Sequence, residues 1–187
     1  QALFNLPPGD FANGERGIAA LAGREEEFRA GIDTALPYVH ETGVKRLHMM
    51  AGLADPADAA AQARYRDAIA YAADRLAEHG IDLLLEPING RDMPGYFLND
   101  FDQAAAYVRE AARPNVKLQF DMYHCELIHG EVSGKLKALF PLTGHVQIAR
   151  AAGRHEPDAS GPDYPRLFEE LDALGYAGFV GCEYRPA

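Results

Sequence analysis

The sequence predicts an α/β fold, a parallel sheet curling into a (β/α)8 barrel. Three observations carry this. Short apolar runs alternate with helix-period segments along all 187 residues, the pattern of a parallel sheet with crossovers. At least one run, IDLLLEP, is continuously apolar, as a strand buried on both faces is. Four runs carry a residue able to hold a divalent metal at or near their ends: IDLLLEP (Glu86), VKLQFDMYH (Asp121), GHVQIA (Gln147) and GFVGCEY (Glu183). Parallel barrel strands bring their C-terminal ends to one face, so these endings imply a shared centre. An open doubly wound sheet is the alternative, but no glycine-rich dinucleotide fingerprint accompanies it.

The elements follow in order. Residues 2–6 (ALFNL) read as a strand stopped by a Pro-Pro-Gly-Asp turn. Residues 25–42 are helical, with Phe28, Ile32, Leu36 and Val39 on one face, Pro37 as an internal irritant and Gly43 as the stop. VKRLHMMAG is the next strand, and an Ala-rich helix over about 56–79 ends at Gly80. IDLLLEP leads into an irregular loop at 88–98, after which Asn99 or Asp100 caps the helix FDQAAAYVREAA. VKLQFD is a strand, followed by a short helix near 131–140, the strand HVQIA and a long loop to Asp163. A helix over 164–174 ends at Gly175, and GFVGCEY closes the chain. Six strands are two short of a barrel of typically about 250 residues. The reading is one domain, 1–187, holding six βα units, with two units expected before it.

Composition narrows the partners. The formal net charge of −10 disfavours nucleic acid and anionic membranes, which demand Lys and Arg. No apolar stretch approaches the roughly 20 residues of a membrane span, and no signal peptide is expected. Cys125 and Cys182 lack CxxC spacing, which fits a reduced, cytoplasmic protein. Exposed sheet edges make a homo-oligomer plausible.

Three carboxylates and an amide form an all-oxygen set that suits Mg²⁺ or Mn²⁺ better than Zn²⁺. Glu86 ends an apolar run and precedes Pro87, which favours a site carboxylate over a strand-end charge paired with Arg91. Asp121 and His124 reach one site only if the strand ends or bulges near Met122. Gln147 alternates with Val146 and Ile148. Glu183 points into the barrel, as a buried carboxylate, if Val180 and Cys182 pack under helices. His48 can line the same mouth. Arg154 suits a substrate carboxylate, although a solvated loop charge is the plainer expectation. Residues 93–97 (MPGYF) read either as an apolar cover over a pocket or as loop aromatics packed on the body. His40, His79, His129 and His145 read as structural.

LLLEPINGRDMPGYFL, KLQFDMYH, GHVQIARAAGRHEP and GYAGFVGCEY together resemble the hydroxypyruvate isomerase family of the xylose-isomerase-like TIM barrels. The resemblance runs from residue 4 to the C-terminus. It implies a divalent metal on Glu86, Asp121, Gln147 and Glu183, with Glu86 and Glu183 also the acid/base pair. It places His124 and Arg154 against substrate. Gln147 stands where ketose epimerases carry His, which favours the isomerase branch. The implied reaction interconverts hydroxypyruvate and tartronate semialdehyde. Rival readings are 2-oxo-tetronate isomerisation, ketose 3-epimerisation, or an incomplete barrel that binds without turnover. The acidic charge opposes a repair nuclease.

Overall fold

The computed structural model describes residues 1–159 and 161–186. Six strands form one sheet in chain order: β1 (Phe4–Asn5), β2 (Arg46–His48), β3 (Asp82–Leu85), β4 (Val116–Asp121), β5 (Thr143–Ile148) and β6 (Val180–Cys182). Every neighbouring pair is parallel. The sheet curls into an open half-barrel, and β1 and β6 are its outer strands. The helices are α1 (Glu25–Thr42), α2 (Ala59–Ala77), α3 (Phe101–Ala111), α4 (Met122–His129), α5 (Val132–Leu139) and α6 (Tyr164–Ala173).

Local chemistry starts and stops these helices. Three glutamates, Glu25, Glu26 and Glu27, open α1, where negative charge meets the positive end of the helix dipole. Pro37 lies inside α1, and Gly43 ends it in the left-handed region at φ 66°. Asp58 caps α2, and Asp100 rather than Asn99 caps α3, accepting from the backbone of Asp102 and Gln103.

The sequence reading missed α4. Strand β4 ends at Asp121, whose side chain accepts the Tyr123 N–H, so the same residue closes the strand and caps the helix. No turn residue announces the change. The structure thus supplies the strand end that Asp121 and His124 needed to share a site.

Outward-facing Leu47, Leu83, Leu85, Leu118, Phe120 and Val146 are buried beneath the helices. Tyr96 and Phe97 are also fully buried, so the two aromatic residues of the proposed loop cover belong to the core, while Met93 lines the cavity. The Tyr96 hydroxyl accepts the Ala51 N–H at 2.8 Å, and the Phe97 ring packs edge-on against Tyr65.

The register of β4 against β5 breaks once. Leu118 pairs with Thr143, but Gln119 pairs with His145 and Asp121 with Gln147. Gly144 is the extra residue of this bulge. Had the ladder run unbroken through Gly144, Val146 rather than Gln147 would stand beside Asp121.

Residues Gly17 and Ala51 form an isolated antiparallel bridge over the strand ends. Gly17 has φ 97°, and a Cβ there would lie 2.3 Å from the Met50 carbonyl oxygen. Gly17→Ala should therefore destabilise the fold by about 3 kcal/mol or more, through backbone strain and overpacking together. Urea denaturation checks this; an unchanged midpoint would show that the bridge can shift at little expense.

Candidate active site

The C-terminal strand ends surround a cavity of about 700 Å³. Its wall includes Asn5 from β1, His48 from β2, Glu86 just past β3, Gln147 from β5 and Glu183 just past β6. Such convergence follows from the parallel topology.

Glu86, Asp121 and His124 are all buried and offer ligand atoms within 4.8 Å of one another. Burial, with Glu183 and Asp121 nearby, pushes the Glu86 carboxyl well above the ordinary range. Burial likewise raises Asp121 to about 7, although Arg154 opposes the shift. Glu86 Oε1 has no hydrogen-bond partner among the described residues. Buried carboxylates with an unmet oxygen fit a bound cation, and the oxygen-rich donors suit a hard divalent ion.

The histidines differ in orientation. His48 Nδ1 lies 3.1 Å from Asn5 Oδ1 and 3.5 Å from Glu86 Oε2. His124 Nδ1 accepts the Asn89 backbone N–H at 3.3 Å. That acceptance leaves the proton of a neutral ring on Nε2, which lies 3.9 Å from Glu86 and 3.8 Å from Asp121. Burial lowers both rings to about 3, so they are neutral near pH 7.

Arg154 is no solvated loop charge. Its Nη2 donates to Glu183 Oε2 at 2.8 Å and to Asp121 Oδ2 at 3.4 Å, and its guanidinium lies over the Tyr123 ring. The 88–98 loop adds Asp92, which accepts from the Tyr123 hydroxyl at 2.6 Å and from Asn89. Arg91 is not Glu86's partner: the carboxylate faces His48 and His124.

Glu183 departs from the expected burial. Its side chain is 54% exposed, because it follows an outer strand whose Cys182 is exposed as well. The structure therefore gathers Glu86, Asp121, His124 and His48 tightly, sets Gln147 beside Asp121, and ties Glu183 to them through Arg154.

Asn5, Asp92 and Gln119 are polar cavity-side residues that escaped the sequence reading. Gln119 lies two residues before Asp121, so strand periodicity alone would have put both on one face. No sequence signal marks Asp92.

A parallel half-barrel with buried carboxylates at its strand ends defines a barrel enzyme with a cation-ready centre. The chain belongs to the xylose isomerase-like TIM barrel family, whose model matches residues 1–187. It is 52% identical over 188 residues to the 2-oxo-tetronate isomerase of Cupriavidus necator, covering 100% of this chain and 72% of that protein. It is 42% identical over 192 residues to a putative hydroxypyruvate isomerase of Homo sapiens, covering 98% and 69%. A crystal structure described as an AP endonuclease, family 2, from Brucella melitensis superposes with a TM-score of 0.96 at 45% identity, covering 100% and 72%. Together the isomerase relatives give this chain an isomerase-type activity. Among the described residues, no helix is long and apolar enough to cross a membrane.

Proposed function

We propose that the chain is a divalent-metal-dependent isomerase of a short 2-oxo acid bearing a hydroxyl on C3, with 2-oxo-tetronate as the foremost substrate. The observation that carries this is the buried Glu86–Asp121–His124 cluster opening on the same cavity as the Arg154–Glu183 pair. The relative that is 52% identical is named for that substrate, which moves the reading away from the hydroxypyruvate reaction implied by the sequence motifs. Hydroxypyruvate is the second reading, favoured by the 42% identical relative and by a 39% identical hydroxypyruvate isomerase of Escherichia coli.

In this proposal Glu86, Asp121, Gln147 and Glu183 would hold Mg²⁺ or Mn²⁺, which would supply Lewis-acid stabilisation of the developing negative charge. Arg154 holds the substrate carboxylate. Glu183, at the open rim, removes the C3 proton to give an enediolate. Glu86, on the inner side, returns a proton to C2 while the proton of the C3 hydroxyl passes to the C2 oxygen, leaving a hydroxyl on C2 and the carbonyl on C3. His124 Nε2–H donates to a substrate oxygen, a role its tautomer suits better than that of a ligand. His48 lines the floor beside Glu86.

Proton NMR in D₂O tests the proposal, with Mg²⁺ or EDTA and with 2-oxo-tetronate, hydroxypyruvate and a ketohexose in turn. The expected result is Mg²⁺-dependent loss of the C3–H signal with product formation, with kcat/KM highest for 2-oxo-tetronate. A higher value on hydroxypyruvate would select the second reading. A C3-epimerised ketose would select an epimerase. No exchange on any substrate would leave a barrel that binds without turnover.

A further inference from the structure

Gln119 plays no part in the proposed reaction, yet it sits at the centre of the barrel interior. It is 2% exposed. The register pairs Leu85 with Leu118 and Gln119 with His145, so Gln119 stands between the strand of Glu86 and the strand of Gln147. Its Nε2 donates to Gln147 Oε1 at 2.6 Å. Its own Oε1 is buried without a partner among the described residues. Barrel interiors are usually filled by branched aliphatic side chains. A half-satisfied buried amide is less favourable there than an apolar residue of the same shape, so packing alone does not account for it.

Gln147 is confined from its other side too. Gly181 of β6 pairs with it, and a Cβ at Gly181 would lie 3.0 Å from Gln147 Cγ and 3.0 Å from His145 Nε2. Stem and amide are each held by a neighbouring strand.

An amide presents either an oxygen or an N–H₂ group, and only the oxygen binds a cation. Gln119 stands here as the donor, and so faces the oxygen of Gln147. It draws Gln147 Oε1 to the β4 side, where Asp121, the register partner of Gln147, ends the strand. A carbonyl oxygen has two lone pairs, so one remains after this bond. We infer that Gln119 is a positioning residue that locks the Gln147 amide with its oxygen beside Asp121, and so prepares the cation site. This rests on the proposed ligand role of Gln147.

The test is isothermal titration of Mn²⁺ into the wild type, Q119M, Q147M and the double variant, with the metal-free melting temperature of each. Q119M should raise the Mn²⁺ dissociation constant roughly 10- to 100-fold, as loss of an outer-shell partner typically does. Its metal-free melting temperature should equal or exceed that of the wild type. In the Q147M background the same change should add less than about 2-fold, since coupled residues are not additive. Should Q119M fail to fold, Q119L is read in the same way. Wild-type affinity in the variant, or an equal loss with and without Gln147, would overturn the inference. So would a lower melting temperature with unchanged affinity, which marks mere structural support. A wild type that binds no Mn²⁺ would sink the metal reading of the site and this inference with it. A wild type that binds Mn²⁺ beside a Q119M that binds equally well would sink this inference alone.

Discussion

Glu183→Gln should lower kcat by roughly 100- to 10,000-fold, the range associated with loss of a general base. Glutamine keeps the length of the side chain but can neither take up the C3 proton nor offer a carboxylate. The fold should survive. Glu183 is 54% exposed at the rim, and exposed substitutions usually stay within about 0.5 kcal/mol. Arg154 would keep a bond to the backbone oxygen of residue 183, at 3.2 Å, and its contact with Asp121. Steady-state kinetics with a parallel thermal melt separates the two effects. A folded variant with wild-type turnover would remove Glu183 from the chemistry and shift the search for a base to Glu86 or Asp92.

Chelation should have an equally large effect on activity and an added effect on stability. Treatment with EDTA should bring turnover to background, and Mg²⁺ or Mn²⁺ should restore it. The same ion should stabilise the fold, by about 2.7 kcal/mol at 100 times its dissociation constant. The reason lies in Glu86 and Asp121, two acids buried together whose carboxyls are pushed upward by that burial. Arg154 reaches Asp121 only at 3.4 Å. Activity that persists in protein stripped of metal, as judged by elemental analysis, would defeat the metal-dependent mechanism.

The fold was largely legible because a parallel barrel writes itself as alternation. The 25–42 helix and the VKLQFD strand appear with the bounds read from the sequence. Their apolar spacing and end signals agree, so local and tertiary preferences do not compete. Helix α4 was hidden because Asp121 serves two elements at once and no Gly or Pro separates them. The ends of strands shrank where pairing is short: 2–6 became Phe4–Asn5 at an outer edge.

At the site, the strand-end acids were visible as charges closing apolar runs. What could not be read was depth. Glu86 and Glu183 look alike in sequence, yet one is buried and the other half in solvent. Their strands differ in position, β3 inside the sheet and β6 at its margin, and strand position is a property of the assembled sheet. Arg154 was undervalued for the related reason that loop charges find partners only after folding. Its carboxylate partners lie 33 and 29 residues away in sequence.

Gly144 frees the face that β5 presents from the residues that precede it. Period-two alternation fixes which residues of a strand share a face, and a bulge restarts the alternation. Thr143 pairs with Leu118, Gly144 is passed over, and His145 takes up the register with Gln119, so Gln147 stays level with Asp121. A Cβ on the passed-over residue would meet Lys117 Cβ at 2.6 Å. A side chain here that forced an unbroken ladder would set Val146 beside Asp121 and exchange inside for outside from His145 onward. Deleting Gly144, by contrast, would leave a regular ladder with Gln147 still facing the cavity. This position can thus lose its residue more safely than it can change it.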